Sequence, residues 1–220
     1  MFDRVARRYD FLNDVMSFGQ HRRWRAIAGM LSRPRDALVL DLATGTGDLA
    51  ILCHQAGAQR VVGVDFSAAM LAGARAKLEG RAPTGGVDLV QADALNLPFG
   101  DATFDAVTSA FLLRNLADLA GAFEEMRRVL RPQGRLVALD LTPAGNGPFG
   151  SLNRWYFRKV IPLLGGLLTG EWAAYRYLPR SVEVFPSAER LATMVREAGF
   201  REVSFYRMGF GSVAIHVAEA

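Results

Sequence analysis

Acidic residues and glycines recur in this chain where short apolar runs come to an end. Asp41 lies in an apolar run that leads into Gly45 and Gly47. Asp65 and Asp93 close two later apolar runs. In an open α/β sheet the carboxyl ends of parallel strands meet along one edge, where ligands bind, and glycines let the backbone approach a ligand closely. The spacing therefore predicts a small-molecule site at that edge.

Two kinds of cofactor use such a strand–loop–helix unit. Residues 45–50 fit the G-x-G-x-x-G/A pattern of dinucleotide-binding proteins. However, Asp41 and Asp48 flank the loop, and carboxylates there would repel a pyrophosphate. S-adenosylmethionine (SAM) carries a sulfonium cation and an ammonium group, which suit acidic neighbours. The charges therefore favour SAM, whereas a plain strand–turn–helix would leave the glycines and aspartates unexplained.

The two later acids fit the nucleoside part of such a cofactor. Asp65 lies about 20 residues after the glycine loop, the spacing at which an acid binds ribose hydroxyls. Asp93 offers a carboxylate that can accept a hydrogen bond from an adenine amine. The loop at 97–99 is expected to contact the base with apolar side chains. The alternatives are a helix cap at Asp65 and an ordinary turn at Asp93.

The positions of these residues depend on alternating strands and helices. Apolar runs predict strands at 38–42, 60–65, 87–91, 104–110 and 135–141, and a final pair at 200–207 and 211–217. Helices are expected between the parallel strands and at 187–198. The predicted fold class is α/β, a Rossmann-like three-layer sandwich. Its mostly parallel seven-stranded sheet ends in a C-terminal antiparallel hairpin.

Length and composition favour one domain over residues 1–220. The chain is 50% hydrophobic and 22% charged, which is typical of a globular protein. A helical segment is expected at about 1–33, and a lid-like insertion at about 142–180 interrupts the alternating pattern. The single cysteine, Cys53, excludes an internal disulfide and favours a reducing, cytoplasmic location.

The formal net charge of +4 favours an anionic partner. A nucleic-acid amino-methyltransferase usually has a proline-containing clamp after the fourth strand, and residues 110–113 contain no proline. Trp24, Trp155 and Trp172 instead lie beside basic residues in the N-terminal segment and the insertion. That combination suits a membrane interface, and equally suits lid helices that pack on the core. No nucleic-acid partner is expected.

Several longer stretches match one known family over nearly the whole chain. They are 2–10, 12–24, 45–48, 113–115 and 211–216. In these stretches the chain resembles the ubiquinone/menaquinone C-methyltransferases (UbiE/MenG), which are class I SAM-dependent methyltransferases. The resemblance implies transfer of a methyl group to a ring carbon of a polyprenylated quinol. Demethylmenaquinol is the first expectation, and the 2-methoxy-6-polyprenyl-1,4-benzoquinol of ubiquinone synthesis is the alternative.

The resemblance also assigns SAM contacts to Thr46, Asp65, Asp93 and Ala94. Together with the residues above, the predicted cofactor-binding set is Asp41, Gly45, Thr46, Gly47, Asp65, Phe66, Asp93 and Ala94. The expected product is S-adenosylhomocysteine, and no metal is expected. The family often has other residues at positions 44, 110 and 112, where this chain has Thr44, Ala110 and Leu112. Those differences motivate a rival hypothesis, a non-catalytic SAM-binding subunit of a quinone-synthesis assembly.

Two residues are expected to carry the chemistry. A phenol has a pKa near 10, and its ionisation pushes electron density onto the ortho carbon that attacks the methyl group. The family associates the position of Arg114 with catalysis. Because a guanidinium is a poor base, Arg114 is expected to stabilise the phenolate. His21 is expected to accept the proton, with a purely structural histidine as the alternative.

The expected partners follow from the substrate. A polyprenylated quinol resides in a bilayer, so the enzyme is expected to be cytoplasmic and to associate peripherally with the inner face of the cell membrane. The sequence leaves homodimer formation open.

Overall fold

The computed structural model describes residues 9–81, 85–143, 150–151, 155–161, 166 and 179–220. Seven strands in these residues form one sheet in the order β3-β2-β1-β4-β5-β7-β6. They are β1 (Leu38–Leu42), β2 (Arg60–Asp65), β3 (Val87–Gln91), β4 (Phe104–Ala110), β5 (Leu130–Leu141), β6 (Arg201–Met208) and β7 (Val213–Glu219). Strands β1 to β5 are parallel, whereas β7 pairs antiparallel with both β5 and β6. The predicted fold class and its C-terminal hairpin are confirmed.

No helix lies in residues 92–103 between β3 and β4, which departs from the expected alternation, whereas the rest of the described chain has helices before, between and after the parallel strands. The helices are α1 (Tyr9–Ser17), α2 (Gln20–Leu31), α3 (Asp48–Gln55), α4 (Ala68–Arg81), α5 (Leu119–Val129) and α6 (Ala188–Glu197). Residues 179–184 are also helical. The Ser187 hydroxyl caps α6 by accepting a hydrogen bond from the Arg190 amide at 3.3 Å. Short 3₁₀ turns occupy Leu113–Asn115 and Gly209–Gly211, and Tyr156–Val160 form a π-helical turn.

Three strands differ from their predicted bounds. β6 and β7 begin one and two residues later than predicted, and the largest difference is at β5. β5 begins at Leu130 instead of residue 135, because Leu130 already pairs with Phe104. Pairing resumes at Ala106 and Arg135, so residues 131–134 form a bulge within the strand. Gln133, at φ 66°, takes the left-handed conformation that this bulge needs.

Neighbouring residues of the central strands contribute to two separate cores. On one face of the sheet, Leu40, Val107 and Leu136 pack with α5 and α6. On the other, Val39, Ala106 and Val137 pack with α2 and α3. Burial of both faces explains why these strands read as continuous apolar runs, and it gives the expected three layers.

The structure describes most of the N-terminal segment but only a small part of the insertion. Phe18 (φ 51°) and Gly19 (φ 72°) separate α1 from α2 within the predicted helical segment. Most of the predicted lid at 142–180, including Trp172, lies outside the described residues. Among the described residues, no helix is both long and apolar enough to cross a membrane.

Candidate active site

The glycine loop after β1 reverses the chain within a few residues. Ala43, Gly45 and Gly47 all have positive φ angles, of 52°, 57° and 84°. A side chain on Gly47 would also meet Ala74, whose Cβ would lie 3.4 Å away. The loop delivers the Gly45 amide to the carboxylate of Asp65, at 2.8 Å.

Asp65 is fixed at the end of β2 by the backbone. One carboxylate oxygen accepts from the Gly45 amide and the other from the Ser67 amide, at 2.8 and 2.9 Å. These two backbone contacts fix the orientation of the carboxylate. Asp65 is only half-buried, and a ribose can reach it.

A cavity of about 320 Å³ opens beside this carboxylate, and we call it the acidic cavity. Its walls include five residues of the predicted cofactor set: Gly45, Asp65, Phe66, Asp93 and Ala94. Apolar side chains complete it, among them Met70, Leu112 and Leu116. Phe66 is 76% exposed, so its ring is available to a planar ligand. The volume and the mixture of carboxylates with apolar walls fit a nucleoside.

Asp41 lies behind the acidic cavity and does not line it. Its two oxygens accept hydroxyl hydrogen bonds from Thr44 and Thr108, at 2.7 and 2.9 Å. Complete burial raises the pKa of Asp41 to about 6. Asp41 borders a gap of about 10 Å³ that it shares with Gly45 and Arg25. A carboxylate at neutral pH therefore lies beneath the glycine loop.

Thr44 occupies space that Gly63 leaves open. A side chain on Gly63 would place its Cβ 2.9 Å from the Thr44 hydroxyl. Thr44 is buried and points to Asp41, away from the acidic cavity. Ala110 and Leu112, the other two differences from the family, do line the acidic cavity.

Thr46 is engaged in a polar cluster that joins α1, the glycine loop, α3 and α4. Its hydroxyl donates to Asp10 at 2.7 Å and accepts from the Lys77 ammonium at 2.9 Å. Lys77 also contacts the carboxylates of Asp10 and Asp48, each at 2.6 Å. Like Asp41 and Gly47, Thr46 does not line the acidic cavity, and in this structure its side chain ties α1 to the loop.

The loop at 97–99 does not contact the acidic cavity, contrary to expectation. Leu97 is buried in the core, and Phe99 packs edge-on against Phe104 with ring centroids 5.1 Å apart. Arg128 and Glu125 of α5 hold this loop through its backbone. Leu112 and Leu116 provide the apolar wall instead.

A second cavity of about 440 Å³, which we call the aromatic cavity, adjoins the first. It is bounded by residues of α1, α2, β5 and the described part of the insertion. Its lining includes Asn13, Met16, Phe18, His21, Trp24, Phe111, Arg114, Leu141, Trp155, Tyr156, Ile161 and Phe210. Among the residues that the structure describes, Phe111 is the one that lines both cavities. The two cavities therefore share a wall at this residue.

Phe111 holds an unusual backbone conformation at this junction. Its φ is 65°, which is rare for an aromatic residue, and its amide donates to the Leu139 carbonyl at 2.7 Å. The Cζ atoms of Arg25 and Arg114 lie 5.1 and 5.4 Å from the ring centroid. Sequence reasoning missed Phe111, because no local pattern indicates a left-handed aromatic residue.

Arg114 is held by a buried carboxylate. Its Nη1 donates to Asp140 at 2.7 Å and to the Phe111 carbonyl at 2.8 Å. Only 10% of the Arg114 side chain is exposed, and its Nε is buried without a partner among the described residues. Arg114, which lines the aromatic cavity, therefore combines an ion pair with a buried unpaired donor.

His21, the predicted proton acceptor, also borders the aromatic cavity, but both of its ring nitrogens are engaged. Nε2 lies 2.8 Å from an Asp14 oxygen, and Nδ1 accepts from Arg25. Because arginine can only donate, the proton of the neutral ring belongs on Nε2. Burial lowers the pKa of His21. For His21 to accept a substrate proton, Arg25 must first move away from Nδ1.

Solved structures with the same architecture include SAM-dependent methyltransferases. One from Mesorhizobium loti is 20% identical, with a TM-score of 0.65 over 90% of this chain and 98% of its own. Another, from Aquifex aeolicus, is 18% identical, with a TM-score of 0.64 over 88% of this chain and 87% of its own. At these identities the likeness establishes the fold alone.

Sequence comparison gives closer relatives. The chain is 50% identical over 221 residues to a demethylmenaquinone methyltransferase of Thermus thermophilus, covering 100% of this chain and 99% of the relative. It is 44% identical to the ubiquinone/menaquinone biosynthesis C-methyltransferase UbiE of Desulfotalea psychrophila, over 98% of this chain and 87% of the relative. The model of the ubiE/COQ5 methyltransferase family matches residues 1–220. The chain therefore belongs to the ubiE/COQ5 methyltransferase family.

Proposed function

We propose that this enzyme, a SAM-dependent C-methyltransferase, methylates a ring carbon of a polyprenylated quinol, with demethylmenaquinol as the principal substrate. The names of its relatives support quinone biosynthesis and the menaquinone branch. The observation that carries the proposal is the junction at Phe111 between an acidic and an aromatic cavity. A methyl donor and an apolar ring acceptor can meet there.

In this proposal SAM occupies the acidic cavity. Asp65 would accept hydrogen bonds from the ribose hydroxyls, and Asp93 would accept one from the adenine amine. Phe66 and Leu112 would contact the base. Asp41 contributes negative charge beneath the loop, which favours the cationic end of the cofactor. SAM supplies the methyl group and leaves as S-adenosylhomocysteine.

The quinol ring occupies the aromatic cavity, whose 440 Å³ lies within the range of about 300–1,000 Å³ typical of small-molecule sites. Trp24, Phe111 and Tyr156 provide aromatic contacts, and the rest of the cavity accepts the first part of the prenyl tail. Arg114 donates from Nε to the ring oxygen next to the accepting carbon. A positioned charge-assisted donor of this kind lowers the pKa of the phenol and stabilises the developing phenolate.

Catalysis then consists mainly of orientation and electrostatics. The ortho carbon would attack the methyl group as the bond between that methyl group and sulfur breaks. The proton on the ortho carbon would then pass to solvent, and the ring oxygen would take back the proton held by His21, which restores the aromatic quinol. Phe111 fixes the approach between donor and acceptor, because its own backbone is anchored to β5. His21 accepts the phenol proton once Arg25 has turned toward the bound ligands.

Membrane contact completes the proposal. Three aromatic side chains of the aromatic cavity are strongly exposed: Phe18 (77%), Phe210 (79%) and Trp155 (56%). Exposed Arg158 and Lys159 follow Trp155 in the chain. Exposed rings beside cations suit the interface of an anionic membrane. The mouth of the cavity would then face the inner leaflet that holds the substrate.

A turnover assay tests the proposal. The purified chain is given SAM and either a short-chain demethylmenaquinol or a short-chain 2-methoxy-6-prenyl-1,4-benzoquinol, both kept reduced without oxygen. We expect methylation of the naphthoquinol to dominate. Asp65→Ala serves as the cofactor control and should weaken S-adenosylhomocysteine binding by roughly 10- to 150-fold, since it removes a charge-assisted hydrogen bond. Tight cofactor binding without turnover of either quinol would favour a non-catalytic SAM-binding subunit instead.

A further inference from the structure

Asn13 lines the aromatic cavity, and its side chain has a buried polar group that no described residue satisfies. It lies on the face of α1 that lines this cavity, together with Met16. Its side-chain nitrogen Nδ2 is buried and has no hydrogen-bond partner among the described residues. The backbone carbonyl of Asn13 is already used, because it accepts from the Ser17 hydroxyl at 2.6 Å.

An unpaired buried donor needs an explanation. Burying an amide without a partner costs free energy, and such groups are few in folded proteins. The amide terminus turns about a soft torsion, so Nδ2 can follow an acceptor that enters the cavity. Met16, Trp24 and Ile161 make the nearby lining apolar. A ligand atom is therefore a natural partner for Asn13.

Arg114 is the second residue of this cavity with an unpaired buried donor, its Nε. Two lining residues of a mostly apolar cavity therefore each hold an unpaired donor, which suits a flat apolar ligand that carries two oxygen acceptors. A 1,4-quinol is such a ligand, because its two hydroxyls lie at opposite ends of the ring. Only one of them has to ionise during methyl transfer.

We infer that Asn13 is a substrate-recognition residue whose Nδ2 donates to the quinol hydroxyl para to the one held by Arg114. This inference rests on the proposed function. The division of labour follows from charge, because cationic Arg114 stabilises the oxygen that ionises, whereas the neutral amide holds the oxygen that stays protonated. Asn13 thereby makes the cavity selective for 1,4-dihydroxy rings over monohydroxy rings.

A comparison of two acceptors tests the role of Asn13. One is the short-chain demethylmenaquinol, and the other is its monohydroxy analogue, which keeps only the hydroxyl next to the methyl-accepting carbon. Asn13→Leu keeps the size of the side chain and removes the amide. Met16→Leu is the matched control, because Met16 lines the same cavity and offers no donor. The readouts are kcat/KM for each acceptor and the thermal unfolding midpoint.

We expect Asn13→Leu to lower kcat/KM for the dihydroxy acceptor by about three- to tenfold, the effect of one hydrogen bond. The monohydroxy acceptor should change by less than about twofold, and Met16→Leu should affect both acceptors alike. The unfolding midpoint should not fall, because an unpaired donor is removed from the interior. Equal losses for both acceptors, no loss for either, or a lowered midpoint would overturn the inference. If the wild-type chain methylates neither acceptor, the proposed function itself is wrong.

Discussion

The guanidinium of Arg114 lies 2.7 Å from the carboxylate of Asp140, and the side chains are only 10% and 3% exposed. Asp140 also accepts hydrogen bonds from the backbone amides of Arg114 and Leu141. The pair therefore fixes the turn after β4 to the end of β5. It gives Arg114 a structural role in addition to its proposed catalytic role.

Arg114→Ala should accordingly impair both folding and catalysis. Asp140 would become a buried carboxylate without a cation, which typically costs about 3–5 kcal/mol of unfolding free energy. Loss of the donor should lower kcat by about 10²- to 10³-fold. Denaturant unfolding and steady-state kinetics measure the two effects.

The double variant Arg114→Gln/Asp140→Asn separates these roles. It replaces the ion pair by a neutral hydrogen-bonded pair, so most of the lost stability should return while kcat stays low. Its activity should also rise only at higher pH than that of the wild type, because the phenol must then ionise unaided. Wild-type turnover in this double variant would exclude a catalytic charge at Arg114.

The buried, ionised carboxylate of Asp41 should lower the free energy of unfolding at neutral pH. Because folding raises its pKa from 3.8 to about 6, the native state holds the proton more tightly than the unfolded chain does. Its contribution to stability is therefore present below about pH 4 and is lost as the pH rises through 6. That difference corresponds to at most about 3 kcal/mol at neutral pH.

Asp41→Asn should therefore raise the unfolding midpoint at about pH 7.5, and its advantage should shrink toward pH 4. The hydroxyls of Thr44 and Thr108 can reorient to pair with the amide. Calorimetry should show weaker SAM binding, since the charge beneath the loop is gone. A lower midpoint than the wild type at every pH would contradict this account.

Lys77 should couple the glycine loop to α1. Lys77→Met removes the cation that Asp10, Thr46 and Asp48 share, and it should cost about 1–2 kcal/mol and raise the KM for SAM. Arg60→Met is the matched control, because the Arg60–Asp88 pair is exposed at the surface, and it should leave both quantities unchanged. Equal effects of the two variants would show that the cluster has no special role.

The exposed rings at the aromatic cavity should bind membranes. In flotation with anionic vesicles, Phe18→Asn/Phe210→Asn should lower binding by about tenfold or more, and salt should weaken binding of the wild type. Asparagine suits both positions, whose φ angles are 51° and 54°. The control Val184→Ser removes an 84% exposed apolar side chain that does not line the cavity, and it should bind like the wild type. Vesicle binding that survives loss of the phenylalanines would contradict membrane docking through this mouth.

Local patterns were sufficient for most of the fold. β1 and β2 have the predicted bounds because apolar runs, a terminal acid and paired glycines all lie within a few neighbouring residues. The start of β5 was mispredicted, because Gly134 marks a bulge whose partner, β4, is distant in sequence. A local sequence pattern around a glycine cannot distinguish a turn from a bulge inside a paired strand.

The site was less predictable, because its contacts join distant segments. Thr46 binds Asp10, 36 residues away, and Arg114 binds Asp140, 26 residues away, and neither partner follows from local spacing. The position of Phe111 between two cavities depends on how α1, α2 and β5 pack around it. The pattern did place Asp65 and Asp93 at one cavity, because strand ends share a sheet edge.

The most direct test of the account uses SAM with a deuterated methyl group. The purified chain is incubated with this donor and a reduced short-chain demethylmenaquinol, and the product is analysed by mass spectrometry and NMR. The account predicts that the whole CD₃ group appears on the unsubstituted ring carbon and that the product still oxidises to a quinone. Two results would contradict the account. One is a CD₃ group on a ring oxygen, and the other is an enzyme that binds the cofactor but forms no labelled quinol.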